Sequence, residues 1–191
     1  SIRWMEKAGA KTQNLLTKGS INHLKNQIKK TPSQHFKDIS NVIQYAEDHG
    51  IKTNVYLEDW SNGMKNSKSY VTDMVQFLSE KNIDRILLPD TLGVLTPDLT
   101  REFIKEMVSN FPNIHFDFHA HNDYDLSVAN VIESIRNGCN GIHITVNGMG
   151  ERAGNAPLAS VVAVVNDFLN GYEIDINAVS YTHLRAHETI L

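Results

Sequence analysis

An α/β fold with a parallel sheet is what this sequence predicts, and three observations predict it. From residue 10 onward, five short extended runs alternate with helical patterns, the layout of strands joined by crossover helices. One of those runs, HFDFHAH over 115–121, has one apolar and one polar face, which suits the wall of a (β/α)8 barrel and would be costly in a strand buried on both sides. At 191 residues the chain is nevertheless shorter than the roughly 250 that a whole barrel takes.

Taken in order, the strands are expected at 12–17, 53–58, 85–89, 115–121 and 141–147. After the first, Thr31 is placed to cap a helix, Pro32 suits its first position and Gln34 closes a capping box. Phe36, Ile39, Ile43 and Ala46 give that helix an apolar stripe, and Gly50 ends it. Tyr70, Met74, Phe77 and Leu78 mark the next helix. Thr96 and Pro97 open another, with Phe103, Ile104, Met107 and Phe111 facing inward. Leu126, Ala129, Val131, Ile132 and Ile135 form a fourth stripe, ended by Gly138, and a Val-rich helix is expected over 157–169. Stripes of this kind read as core packing and not as cofactor contacts.

Composition narrows the function classes. The chain carries 18 Lys and Arg against 22 Asp and Glu, a formal charge of -4, with no basic block, so the electrostatic footprint of a nucleic-acid binder is missing. No apolar run reaches the roughly 18 residues of a membrane span, and the first residues lack a signal peptide's apolar core. The single cysteine, Cys139, fits a reducing compartment, and the reading is cytoplasmic. With no repeat and no linker, residues 1–178 read as one domain. Residues 179–189, VSYTHLRAHET, have no apolar period and match a translated sequencing adapter, so 179–191 is expected to be a library artefact, which removes His183 and His187 as ligands.

The chemistry-bearing strand is 115–121. Alternation sends Phe116, Phe118 and Ala120 to one face and His115, Asp117, His119 and His121 to the other. His119 and His121 can place two imidazole nitrogens on one divalent ion, although such a pair alone fits hydrogen-bonded core histidines equally well. Asn155 lies in the glycine-rich loop NGMGERAGNA, which follows the next strand and opens at the same end of the sheet, so its carboxamide oxygen can supply a third ligand. Tight turns account for Gly148 and Gly150 as well as any ligand role does. Glu58 ends its strand on the same face as Asn54 and Tyr56. Asp90 and Thr91 end the next, where Thr91 can bond a substrate carboxylate. Asp59 and Asp123 read as loop structure.

Four segments, NVYLEDWSNG, LLPDTLGVLTP, HFDFHAHNDYDLSVAN and TVNGMGERAGNAPLASV, together resemble the metal-dependent acyl-CoA condensing enzymes of the isopropylmalate, homocitrate and citramalate synthase family. The resemblance covers residues 1–178. It implies a (β/α)8 TIM barrel of which this chain holds about strands four to eight, an interior piece that would be inactive alone. It assigns one divalent ion (Mg, Mn or Zn) to His119, His121 and Asn155, acid-base work to Glu58, and substrate contacts to Thr91 and Tyr56. It further implies acetyl-CoA and a small α-keto acid as substrates, and a homodimeric parent. The family's first-strand Asp and Arg have no counterpart here, and Tyr124-Asp125 stand where the family has Leu-Gly. Within the resemblance, 2-oxoisovalerate and hence isopropylmalate synthesis in the leucine pathway is favoured, with pyruvate as runner-up. A retro-aldol lyase of the same superfamily is the enzyme rival, against which the GERAGN loop argues. A barrel using the metal for structure alone is the non-catalytic rival.

Overall fold

The structure is a computed structural model and describes residues 2–171. The boundary expected at 178 and the segment 179–191 lie outside the described residues. Five strands, β1 (Thr12–Lys18), β2 (Lys52–Glu58), β3 (Arg85–Asp90), β4 (Phe116–Ala120) and β5 (Gly141–His143), form one parallel sheet in sequence order. Among the described residues β1 and β5 pair on one edge only. The helices are α1 (Ile2–Lys7), α2 (Ile21–Asn26), α3 (Pro32–Glu47), α4 (Trp60–Asn66), α5 (Lys68–Ser79), α6 (Pro97–Asn110), α7 (Ser127–Arg136) and α8 (Leu158–Phe168). Among the described residues no helix is long and apolar enough to cross a membrane.

Local signals account for most of these boundaries. Thr31 accepts from the Gln34 amide while the Gln34 side chain accepts from the Thr31 amide, the expected capping box. Thr96 caps α6 in the same manner, with Pro97 at its first position. Three short helices, α1, α2 and α4, were not expected. At six or seven residues each they are too short to show a helical period, and packing supplies the stability that propensity does not.

Two strands differ from expectation. β4 stops at Ala120, and His121 bridges instead to Asn155. β5 ends at His143 and not at 147, because the backbone beyond it pairs with its own returning loop: the Thr145 amide donates to Ala156 O and the Leu158 amide to Thr145 O. A single 3-10 turn, Val146–Gly148, follows.

The register decides which side chains share a face. Val55, Leu57, Ile86, Leu88, Phe116, Phe118 and Ala120 point to the helices and are fully buried. Trp60 sets its indole edge-on to Phe103 and Phe118 there, at centroid distances of 6.2 and 6.5 Å. On the opposite face stand Asn14, Lys18, Asn54, Tyr56, Glu58, Arg85, Asp117, His119 and His143, a polar wall with its strand C-termini at one mouth.

Candidate active site

The mouth is built by β4 and by the glycine loop after β5. His119 is the last residue of β4 on the polar face, and His121 follows directly after the strand's end at Ala120. Their Nε2 atoms lie 3.4 Å apart, and both Nδ1 atoms are buried without a partner. Burial, then the neighbouring His121 and His143, hold His119 down to about 4, so its ring is neutral at pH 7 with a lone pair to offer. Asn155 is brought alongside by its antiparallel bridge to His121 and by the Asn122 amide, which donates to Gly154 O at 2.9 Å. Its Nδ2 donates to Met149 O at 3.1 Å, which leaves a buried Oδ1 without a partner.

A divalent ion fits this donor set. The two Nε2 atoms face each other at 3.4 Å, close enough to share one ion, and the unpartnered buried carboxamide oxygen of Asn155 is otherwise costly. Among the described residues no group of three His, Cys, Asp or Glu side chains is arranged for an ion. The set is two imidazoles and one carboxamide. Close approach accounts for two of the loop's glycines: a Cβ on Gly150 would stand 2.3 Å from the Asn155 side-chain Nδ2, and one on Gly154 would stand 2.1 Å from the backbone Gly148 O.

The other expected residues share the polar face but are held by different partners. Glu58 ends β2, two strands from β4 and so about 10 Å across the sheet. Lys18 Nζ donates to its Oε2, a pairing that spacing in the sequence does not reveal. Lys18 is itself pinned from the helix side, its amide donating to His35 Nε2 and its carbonyl accepting from the Tyr70 hydroxyl. Tyr56 OH meets His143 Nδ1 at 3.0 Å, and His143 Nε2 meets Asp117 Oδ2 at 3.2 Å. Asp117 only accepts, so Nε2 carries the proton, and in the neutral ring Nδ1 then accepts from Tyr56. Burial pushes the Asp117 carboxyl up, but hydrogen bonds from His143, Arg85 and His115 outweigh it and hold the group at about 2. Thr91 lies just past β3, its Oγ1 accepting from the Asp59 amide at 2.8 Å.

The acidic loop residues have structural partners. Asp59 accepts from Ser20 and Asn62, Asp90 from the Val94 and Leu95 amides, and Asp123 from Arg152. Burial raises the Cys139 thiol to about 12, so it is a poor nucleophile.

Residues 2–185 match one protein family, described as HMGL-like, over nearly the whole chain. The chain belongs to the HMGL-like family. Curated relatives of this HMGL-like chain include a homocitrate synthase of Sulfolobus acidocaldarius, 36% identical over 161 residues covering 84% of this chain and 34% of that protein. A second, from Saccharolobus islandicus strain L.S.2.15, is 36% identical over 143 residues covering 75% and 30%. The chain thus spans about a third of the length of these relatives. Among solved structures, a hydroxymethylglutaryl-CoA lyase from Pseudomonas aeruginosa superposes with a TM-score of 0.82 at 19% identity, over 98% of this chain and 66% of that one. The HMG-CoA lyase of Bacillus subtilis gives 0.82 at 17%, with the same coverage. At these identities the likeness shows the fold.

Proposed function

We propose that this chain carries the electrophile side of an acyl-CoA condensing site, in which the acetyl group of acetyl-CoA adds to the carbonyl carbon of a small α-keto acid. One observation carries the reading: two imidazole Nε2 atoms 3.4 Å apart beside an unpartnered Asn155 Oδ1, at the open C-terminal mouth of a parallel sheet. His119, His121 and Asn155 would hold a divalent ion (Mg, Mn or Zn), which when bound polarises the keto oxygen. The homocitrate synthases among the relatives support condensation, and the GERAGN loop supports it over cleavage.

The chain's own residues take the remaining tasks. Glu58 accepts from Lys18 through one carboxylate oxygen and removes a proton from the acetyl methyl group through the other. Thr91 has its oxygen occupied by the Asp59 amide, so it serves the substrate carboxylate as a donor. Tyr56, its proton directed to His143, serves as an acceptor and as a wall.

Two keto acids compete as the acceptor. The sequence resemblance favours 2-oxoisovalerate, hence isopropylmalate. The relatives named homocitrate synthase favour 2-oxoglutarate, the keto acid whose acetyl adduct has the homocitrate skeleton. A thiol-release assay on the full-length protein with acetyl-CoA and each keto acid tests both. Release of CoA only in the presence of a keto acid and a divalent metal is expected. No release with any keto acid would sink the condensing reading.

A further inference from the structure

Arg152 is a charged residue of the glycine loop to which the proposed chemistry gives no task. Its backbone is left-handed, φ +56°, a conformation disfavoured for a residue with a Cβ. Its guanidinium is fully aimed: Nε donates to Asp123 Oδ1 at 2.7 Å, and Nη2 donates to Asp123 Oδ2 at 2.9 Å and to Thr91 O at 2.8 Å. Asp123 follows β4 and Thr91 follows β3, so one side chain ties three loops. The chain of bonds continues through Thr91 Oγ1, which accepts from the Asp59 amide after β2, to Asp59 Oδ2, which accepts from Ser20 after β1. Each loop that follows a described strand contributes one member. Asp123 reaches its place only because Gly93 lacks a Cβ, which would stand 2.8 Å from Oδ2.

This belt acts on Asn155 through Met149. The Asn155 carboxamide is oriented by its Nδ2 bond to Met149 O, which decides that Oδ1 is the free end. Met149 lies on the outer part of the loop, 69% exposed; its amide donates to Val146 O within the loop, and Arg152 supplies that part's bonds to the loops after β3 and β4. A substrate-binding role for this arginine is disfavoured, because a bidentate carboxylate and a carbonyl already occupy two of its nitrogens.

We infer that Arg152 is a positioning residue: by latching the glycine loop to Asp123 and Thr91, it holds the Met149 carbonyl and thereby the Asn155 carboxamide with Oδ1 free for ligation. The inference rests on the divalent-ion reading above. It is tested in the full-length protein by titrating Mn2+ into wild type, Arg152→Gln, Arg152→Lys and Asp123→Asn. Arg101→Gln serves as control, since Arg101 pairs with Glu133 and Asp98 on the helical surface. Arg152→Gln and Asp123→Asn should each weaken Mn2+ binding roughly 10- to 100-fold, Arg152→Lys should fall between, and the control should match wild type. Amide exchange at Asn155, whose N–H donates to Gly148 O, should accelerate in Arg152→Gln with the thermal midpoint moved no more than in the control. Wild-type Mn2+ affinity and unchanged exchange in Arg152→Gln would overturn the latch, as would an equal loss in the control. A wild type that binds no divalent ion would overturn the metal reading, while the exchange comparison would still decide the latch.

Discussion

Replacing Gly150 by alanine separates the donor geometry from the stability of the fold. The added Cβ would stand 2.3 Å from Asn155 Nδ2, 2.8 Å from its Cγ and 3.2 Å from its Oδ1, where ordinary contact begins at 3.4 Å. The obstructing atoms are the far end of a side chain, and Gly150 is not in the left-handed region, so the backbone accepts alanine and the carboxamide withdraws by about 1 Å. Alanine gains about 0.4–1 kcal/mol by restricting the unfolded chain, and the broken Asn155 to Met149 bond loses about 1 kcal/mol. Stability therefore stays near its starting value. A displacement of about 1 Å at a reacting constellation costs about 100-fold, so kcat/KM should fall by that order and divalent-ion affinity with it. Calorimetric metal titration beside a urea unfolding curve on the full-length protein measures both. Wild-type metal affinity in Gly150→Ala would refute the placement of Asn155 among the ligands. A loss of several kcal/mol of stability would show that the backbone takes the clash, and would refute the reasoning too.

Glu58→Gln should lower kcat by roughly 100-fold or more and leave metal affinity unchanged, because β2 and β4 are separated by β3; a variant of full activity in the thiol-release assay would remove Glu58 from the mechanism. His35 is held down to about 4, against an ordinary 6.5, by burial and then by Lys30. The unfolded chain therefore takes the proton first, so the stability tied to neutral His35 is complete above about pH 6.5 and is lost as pH falls toward 4. At about 1.4 kcal/mol per pH unit this amounts to at most about 3.5 kcal/mol, and urea midpoints between pH 7 and pH 4 should fall less steeply in His35→Gln; equal slopes would count against it. Asp117→Asn removes the carboxylate that Arg85, His115 and His143 share, and should cost about 2 kcal/mol in urea unfolding; an unchanged midpoint would argue that those bonds are idle. Trp60→Ala empties a fully buried site between Phe103 and Phe118 and should cost about 3–5 kcal/mol, read as a lowered thermal midpoint.

The sequence by itself determined whatever depends on neighbours along the chain. Capping at Thr31 and Thr96 and the apolar stripes of α3, α5 and α6 were legible because a helix buries one face at a fixed period, whereas α7 fully buries Ser127, Asn130, Val131 and Ser134 and leaves the expected Leu126, Ala129, Ile132 and Ile135 half-buried. The alternation expected over 115–121 was legible for the part that is strand, Phe116–Ala120, because a strand alternates at a period of two. Alternation also predicted that His119 and His121 share a side, although His121 takes its place past the end of β4 through its bridge to Asn155.

Only the tertiary structure decided which groups meet across strands and loops. Lys18 reaches Glu58 because β1 and β2 pair in a register that sets them side by side, and Tyr56 reaches His143 from two different strands of the polar wall. β5 stops early because its backbone finds partners in its own returning loop. Arg152 joins Asp123 and Thr91 across 29 and 61 positions of sequence. None of these contacts leaves a periodic or spaced mark in the sequence. The physical reason is that alternation sets the face a side chain takes, whereas its partner is set by strand register and by the path of loops that fold back over the sheet.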